Sequence, residues 1–491
     1  MPAPKQDYYA ILGVLRDSSA EEIRRAYYAS ARRLHPDRNK LDGETEIFLE
    51  VQQAYEVLSN PKRRALYDAT LPREEPDNSV IALRIEYSRP NLVHLDEPQL
   101  VYVLLEMSPR SAGRDTTVPL NLCLVLDRST SMQGEKMDLT KAAAVQIMRM
   151  LRPEDIFGVV VFGDRAEVTL QSSFSRDLKR LQSRIQSIEP SGATEIFQGL
   201  EAGLAEVRRG VDPGRSSHII LLTDGHTYGD EQACLELAAA AADLNVSISG
   251  FGIGTDWNDI FLDRLAGSTG STSTYVTTAQ DIQHILVDKF KQLERAFVDD
   301  MLLELSPAEG VQLSYCFRLQ PEGGPIEVQK AMHLGSILRD TPLSVLFEFL
   351  VEPAASQANS VTLLDGTIKP ALSARPTPIP PIRLRLDRPS APSAQVEPPP
   401  TAIQQALSRL ALYRLQEKAH QEVADGEIES ATRHLRNLAS QLASQGQHEL
   451  AKTTLLEAEN LVRIQAFSGK GGKEIKYGTR ALIASPTENG R

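Results

Sequence analysis

Residues 122–132 read Leu-Cys-Leu-Val-Leu-Asp-Arg-Ser-Thr-Ser-Met, and no other stretch narrows the possible folds as much. Five apolar residues in succession suit a strand buried on both faces, the environment of a parallel sheet covered by helices. The run ends abruptly at Asp127, Ser129 and Ser131, so oxygen-bearing side chains fall at the strand's C-terminal tip. Open α/β sheets place ligand sites at that edge. A carboxylate and two hydroxyls are hard oxygen donors, of the kind Mg²⁺ takes.

The surrounding sequence alternates short apolar runs with helical periodicity. Strands are expected at 120–126, 157–162, 166–170, 219–222 and 246–251, with a short one near Tyr275. Helices are expected at 136–151, 176–186, 195–208, 231–243, 258–266 and 280–294. That alternation predicts a doubly wound, mostly parallel, Rossmann-like sheet over residues 118–295. Two further segments reach its C-terminal edge: Ser191-Gly-Ala-Thr194 in a loop before a helix, and Leu221-Leu-Thr-Asp224-Gly225 at a strand end.

Asp127-x-Ser129-x-Ser131, then Thr194, then Asp224, resembles the metal-ion-dependent adhesion site of a von Willebrand factor A domain at all five positions. The resemblance implies a bound Mg²⁺, with Mn²⁺ or Ca²⁺ as alternatives. Ser129, Ser131 and Thr194 would then ligate directly, and Asp127 and Asp224 through water. An open coordination position would take an Asp or Glu carboxylate from a partner protein. Glu195 adds a charge that lowers affinity for an acidic partner, and Arg128 and Met132 are expected to flank the site.

Other chemistries fit less well. A phosphate-loop nucleotide site needs Gly-Lys-Ser/Thr after a strand, and Gly469-Lys-Gly-Gly-Lys473 lacks both strand and hydroxyl, so it reads as a flexible loop. Gly250-x-Gly252-x-Gly254 follows a strand but has the wrong spacing for dinucleotide binding. Metal-assisted hydrolysis needs a base, and His226, two residues after Asp224, reads as a loop histidine. The site is therefore expected to bind rather than catalyse.

The first seventy residues have a different character. Ser18 or Ser19 can cap a helix carrying Ile23, Ala26, Tyr27, Ala31 and Leu34 at helical spacing, with Arg24, Arg25, Arg32 and Arg33 toward the other side. The helix stops at His35-Pro36-Asp37. A third helix runs over 44–58 and a fourth begins at Asn60-Pro61. Tyr8-Tyr9 with Leu12-Gly13, Ala31 to Asn39, Ala54 to Pro61, Arg64 and Tyr67-Asp68 together resemble a J-domain of the DnaJ type. That resemblance implies docking on a DnaK-type chaperone and stimulation of its ATPase. His35, Pro36 and Asp37 would contact the ATPase domain, and Arg24, Arg25, Arg32 and Arg33 an acidic groove. The Gly/Phe-rich segment and zinc-binding cysteines of full-length relatives are absent, so their substrate binding is not implied.

The remaining sequence frames these two units. Residues 71–79 read as a linker. Alternating strands in 80–117 and 296–387 predict one β-sandwich interrupted by the α/β domain. Proline-rich 388–400 reads as a second linker, residues 401–466 as a bundle of three amphipathic helices, and 467–491 as an unassigned tail. A tetratricopeptide repeat fits only in part. The formal net charge of −12 argues against nucleic-acid binding, and three scattered cysteines argue against a disulfide framework or zinc site. No run approaches the ~20 apolar residues of a membrane span and no apolar signal core opens the sequence, so the chain reads as cytoplasmic. The whole reads as a non-enzymatic multidomain adaptor, α and α/β plus β. The alternative is an A-domain scaffold in a signalling, ATPase-remodelling or metal-insertion complex.

Overall fold

A computed structural model describes residues 8–14, 18–34, 44–68, 80–110, 118–174, 177–212, 214–227, 229–306, 308–371, 379–393 and 397–484. The N-terminal unit has helices α1 (Tyr8–Leu12), α2 (Ala20–Leu34), α3 (Glu44–Leu58) and α4 (Pro61–Asp68). Ser19, not Ser18, caps α2. Its Oγ accepts from Glu22 N (3.3 Å), and Glu22 Oε2 accepts from Ser19 N (2.7 Å), a reciprocal capping box. Asn60 Oδ1 caps α4 by accepting from Lys62 N and Arg63 N. Tyr9, Leu12, Ile23, Val51, Ala54 and Leu58 form the core. Tyr27 and Tyr55 stack at 4.0 Å.

Strands β1 (Ile81–Tyr87), β2 (Leu92–Val93) and β3 (Gln99–Pro109) precede the α/β domain. That domain comprises β4 (Leu120–Asp127), α5 (Glu135–Met150), β5 (Ile156–Phe162), β6 (Ala166–Ser173), α6 (Leu178–Gln186), α7 (Ile196–Arg208), β7 (Ser216–Thr223), α8 (Glu231–Asp243), β8 (Val246–Ile253), α9 (Asp259–Gly267), β9 (Ser273–Val276) and α10 (Asp281–Glu294). The sheet order is β6-β5-β4-β7-β8-β9, parallel except for the edge strand β6. Every residue of β4, β5, β7 and β8 is buried, as strands covered on both faces require. The chain leaves β4 for β5 on one side and returns to β7 on the other, so the topological switch point lies between β4 and β7. Gly252 is required by packing, because a Cβ there would sit 2.1 Å from the Trp257 ring.

The chain then adds β10 (Ala296–Val298), β11 (Met301–Ser306), β12 (Val311–Gln320), β13 (Gly324–Pro325), β14 (Ala331–His333), β15 (Ile337–Leu338), β16 (Leu343–Val351), α11 (Pro353–Ser356), β17 (Ser360–Pro370) and β18 (Ile382–Ala391). These close a sandwich with the early strands, one sheet ordered β1-β3-β16-β12-β13 and the other β14-β11-β17-β18-β2. The two segments flanking the α/β domain share a single core, including Val103, Leu105, Met301, Phe347 and Leu386. Strand β18 runs to Ala391, past the expected linker start at 388, because Ser390 and Ala391 pair with Leu92 and Val93.

Arg318 locks the inserted domain to the sandwich. It is only 4% exposed. Its guanidinium donates to the carbonyls of Gly270 (2.8 Å), Ser271 (2.9 Å), Glu322 (3.0 Å) and Leu334 (3.0 Å). Gly335 must lack a side chain, since a Cβ would lie 2.0 Å from the Arg318 Nη1 atom. Glu322 also accepts from Lys289 of α10 and from Thr272. Ser216 at the start of β7 donates to Asp299 (2.6 Å) and meets His218 Nε2 at 2.7 Å. Burial pushes the Asp299 carboxyl up to about 6 and the His218 imidazole down to about 3.

The C-terminal region departs from expectation. Helices α12 (Thr401–Ala424), α13 (Ile428–Ser444) and α14 (His448–Ile464) are followed by a fourth, α15 (Gly469–Ala484). The Gly469–Lys473 stretch is therefore helix rather than flexible loop, and residues 469–484 of the unassigned tail form a packed helix. Ser468 Oγ accepts from Gly471 N and donates to buried Glu457. A Cβ on Gly471 would meet Glu457 at 2.1 Å, and one on Gly478 would meet Leu450 at 2.8 Å, so the glycines permit close helix packing. From α15, Lys473 donates to Trp257 O (2.6 Å), Arg480 makes a bidentate pair with Asp263 (2.8 Å each), and Tyr477 meets Ser273 at 2.7 Å. These contacts seat α15 against the α/β domain. Among the described residues no helix is long and apolar enough to cross a membrane.

An Arg318→Lys substitution tests the lock. One ammonium has three donors and cannot serve carbonyls from three segments in a plane. The expected cost is about 2–4 kcal/mol, read as a lower urea midpoint. An unchanged midpoint would mean that those carbonyls find other partners.

Candidate metal centre

The five oxygen-bearing residues come together at the β4/β7 edge. Asp127 ends β4 and is fully buried. Its Oδ1 accepts from Ser129 N (2.7 Å) and its Oδ2 from the Thr223 hydroxyl (2.6 Å). The Ser129 and Ser131 hydroxyls lie 2.9 Å apart, and Ser131 Oγ donates to Asp224 Oδ1 (2.6 Å). Thr194 stands beside Gly225, where a Cβ would fall 2.8 Å from its Oγ1. A side chain at 225 would therefore displace that hydroxyl.

Main-chain bonds hold the contributing loops in register. Ser191 N donates to Arg128 O (2.6 Å), and Thr130 N to Gly192 O (3.2 Å). Gly192 has φ +84°, and a Cβ there would meet Asp164 at 2.8 Å. Asp164 Oδ1 in turn accepts from Ala193 N. Thr194 is thus positioned by a loop stitched to the one bearing the two serines.

Two carboxylates share this edge. Burial pushes the Asp127 carboxyl up and the nearby Asp224 charge adds to the rise, while bonds from Thr223 and Ser129 oppose it. The Asp224 side chain is 1% exposed and pairs with the Lys136 ammonium. Among the described residues no group of three His, Cys, Asp or Glu side chains could hold a metal. The donors here are two carboxylates and three hydroxyls, a neutral-rich oxygen set. Such a set suits a hard divalent cation that keeps water in its shell, and two buried carboxylates at one edge favour a cation between them.

Flanking residues divide differently than expected. Arg128 is near the edge and pairs with Glu167 at 3.2 Å. Glu195 precedes α7 and is half-buried, and His226 is exposed. Met132 does not flank the opening. It is fully buried in the core with Leu126 and Met137, because the turn after Ser131 folds its side chain inward. Thr223 and Lys136 were not singled out from sequence. Lys136 carried a signal, since a cation in a helix's first turn opposes the macrodipole and asks for a reason.

On the N-terminal unit, Arg24 and Arg25 are exposed on α2, and Arg32 and Arg33 lie toward its end. His35, Pro36 and Asp37 fall outside the described residues.

Comparison with known proteins defines the class. Residues 7–68 match the DnaJ domain, residues 121–289 the von Willebrand factor type A domain, and residues 401–485 the Sll0103-like C-terminal alpha-helical domain. The chain thus carries a DnaJ domain, a von Willebrand factor type A domain and an Sll0103-like C-terminal helical domain. It is 26% identical over 348 residues to the uncharacterized protein sll0103 of Synechocystis, covering 68% of this chain and 81% of that one. It is 51% identical over 74 residues to chaperone protein DnaJ 2 of Thermus thermophilus, but that match spans 15% of this chain and only 26% of the relative. A von Willebrand factor type A structure from Catenulispora acidiphila aligns with a TM-score of 0.63 at 15% identity, over 82% of this chain and 97% of that one. The last shows shared fold.

The buried, like-charged pair has a measurable consequence. Asp127→Asn removes one charge and keeps the shape, so in chelator it is expected to raise the melting temperature by about 2–4 °C per kcal/mol relieved. A carboxyl raised on folding contributes stability at low pH that is lost as pH rises through its folded value. The gain should therefore appear near neutral pH and vanish in acid. A lower melting temperature at neutral pH would show that the charge is well compensated by its hydrogen bonds.

Proposed function

We propose that this chain is a non-enzymatic J-domain co-chaperone that brings a DnaK-type ATPase to a protein partner held through a divalent-cation site on its A domain. The observation that carries this is the convergence of Asp127, Ser129, Ser131, Thr194 and Asp224 on one sheet edge, in a chain that also carries a DnaJ domain. Mg²⁺ at that edge would supply one electrophilic coordination position to a carboxylate from the partner. Ser129, Ser131 and Thr194 would hold it directly. Asp127 and Asp224 would orient its waters and balance its charge. A cytoplasmic setting fits this reading.

On the J-domain, exposed Arg24 and Arg25, with Arg32 and Arg33, would meet an acidic groove on the chaperone. His35, Pro36 and Asp37 would contact its ATPase domain. The chemistry of ATP hydrolysis stays with the partner.

Two experiments separate the halves of this reading. His35→Gln is expected to abolish stimulation of a DnaK-type ATPase with an unchanged circular dichroism spectrum; stimulation retained at wild-type level would overturn the co-chaperone assignment. Asp127→Ala is expected to remove Mg²⁺ binding measured by titration calorimetry. Wild-type affinity in that variant would sink the metal assignment.

A further inference from the structure

We infer that Lys136 is a tethered cation that holds Asp224 in place of the divalent ion and sets how tightly that ion binds. This rests on the metal reading above and concerns a residue outside the five-donor motif. Lys136 lies in the first turn of α5 (Glu135–Met150), where a helix normally favours acids. Its ammonium reaches back to Asp224 Oδ2 and, at 3.3 Å, to Ser131 O. The other Asp224 oxygen accepts from the Ser131 hydroxyl. Both carboxylate oxygens are therefore engaged, one by an intramolecular positive charge.

The pair is asymmetric. The Asp224 side chain is 1% exposed, whereas that of Lys136 is 34% exposed. The carboxylate has little water and needs a counter-charge; the ammonium has solvent to move into. A lysine is suited to this, being a compact charge on a flexible stem. A divalent ion among Ser129, Ser131 and Thr194 would sit within a few ångströms of the ammonium. Like charges at that separation repel strongly at a partly buried site. The ion must therefore displace Lys136 or bind against its field. In either case the lysine weakens ion binding while stabilising the ion-free edge.

The test uses the full chain and Mg²⁺ alone, by calorimetry and by thermal unfolding with chelator or excess Mg²⁺. Lys136→Met is expected to tighten Mg²⁺ binding roughly tenfold, the scale of a partly exposed charge pair. It should also lower the melting temperature in chelator and enlarge the Mg²⁺-induced rise. Lys136→Arg keeps the charge and should leave affinity near wild type, whereas a merely structural lysine would give similar changes in both variants. Measurable wild-type binding with an unchanged or weaker Lys136→Met affinity would overturn this inference and leave the metal reading standing. No Mg²⁺ binding by wild type or by Lys136→Met would overturn both.

Discussion

The attitude of the A domain depends on one buried guanidinium. The domain joins the sandwich through two chain crossings, before Leu120 and after Glu294, and two crossings alone leave a hinge. Arg318 removes that freedom by spending its donors on carbonyls at Gly270, Ser271, Glu322 and Leu334. Burying a charge is costly unless its hydrogen bonds are met, and the fixed fork of arginine meets several carbonyls at once. Lys289 with Glu322, and Ser216 with Asp299, add ties around it. The α15 helix braces a second flank through Arg480 and Asp263. The oxygen-rich edge is thus presented by a domain gripped on two sides.

The sheet and the meeting of five donor residues were legible in the sequence because few residue types suit each place. Double-sided burial demands unbroken apolar runs, and the hard-oxygen pattern at strand tips stands out against them. The sandwich was legible from alternation on both sides of the insertion. What escaped depended on tertiary reach. Thr223 has no distinguishing mark in sequence and Lys136 only that of a cation in a helix's first turn; the fold brings them to Asp127 and Asp224. Met132 was misplaced because a turn, not periodicity, decides where its side chain goes.

The last helix shows the same limit from the opposite direction. Gly469, Gly471 and Gly472 read as chain breakers, since glycine costs about 1 kcal/mol in a helix interior. Here the absent side chains let the helix approach Glu457 and His420 closely, and packing outweighs propensity. Lys473, Tyr477 and Arg480, one turn apart, then form a polar and aromatic face against Trp257, Ser273 and Asp263. A glycine-rich stretch followed by regularly spaced cations and an aromatic reads as a packed helix once its neighbour is known.

The insertion has a mechanical side. Both covalent crossings and the Arg318 contacts lie toward the end of the sheet where β7 begins, while Asp127 and Asp224 lie at the other end. An eight-residue strand separates the two ends by about 23 Å. Tension applied to a protein gripped at the oxygen-rich edge would run lengthwise down β4 and β7 and be shared by two chain crossings and a web of hydrogen bonds. Parallel strands loaded along their length resist by shearing many bonds together rather than unzipping them singly. The architecture is that of a handle, in which a load placed on the oxygen-rich edge would reach the frame behind it before the sheet came apart.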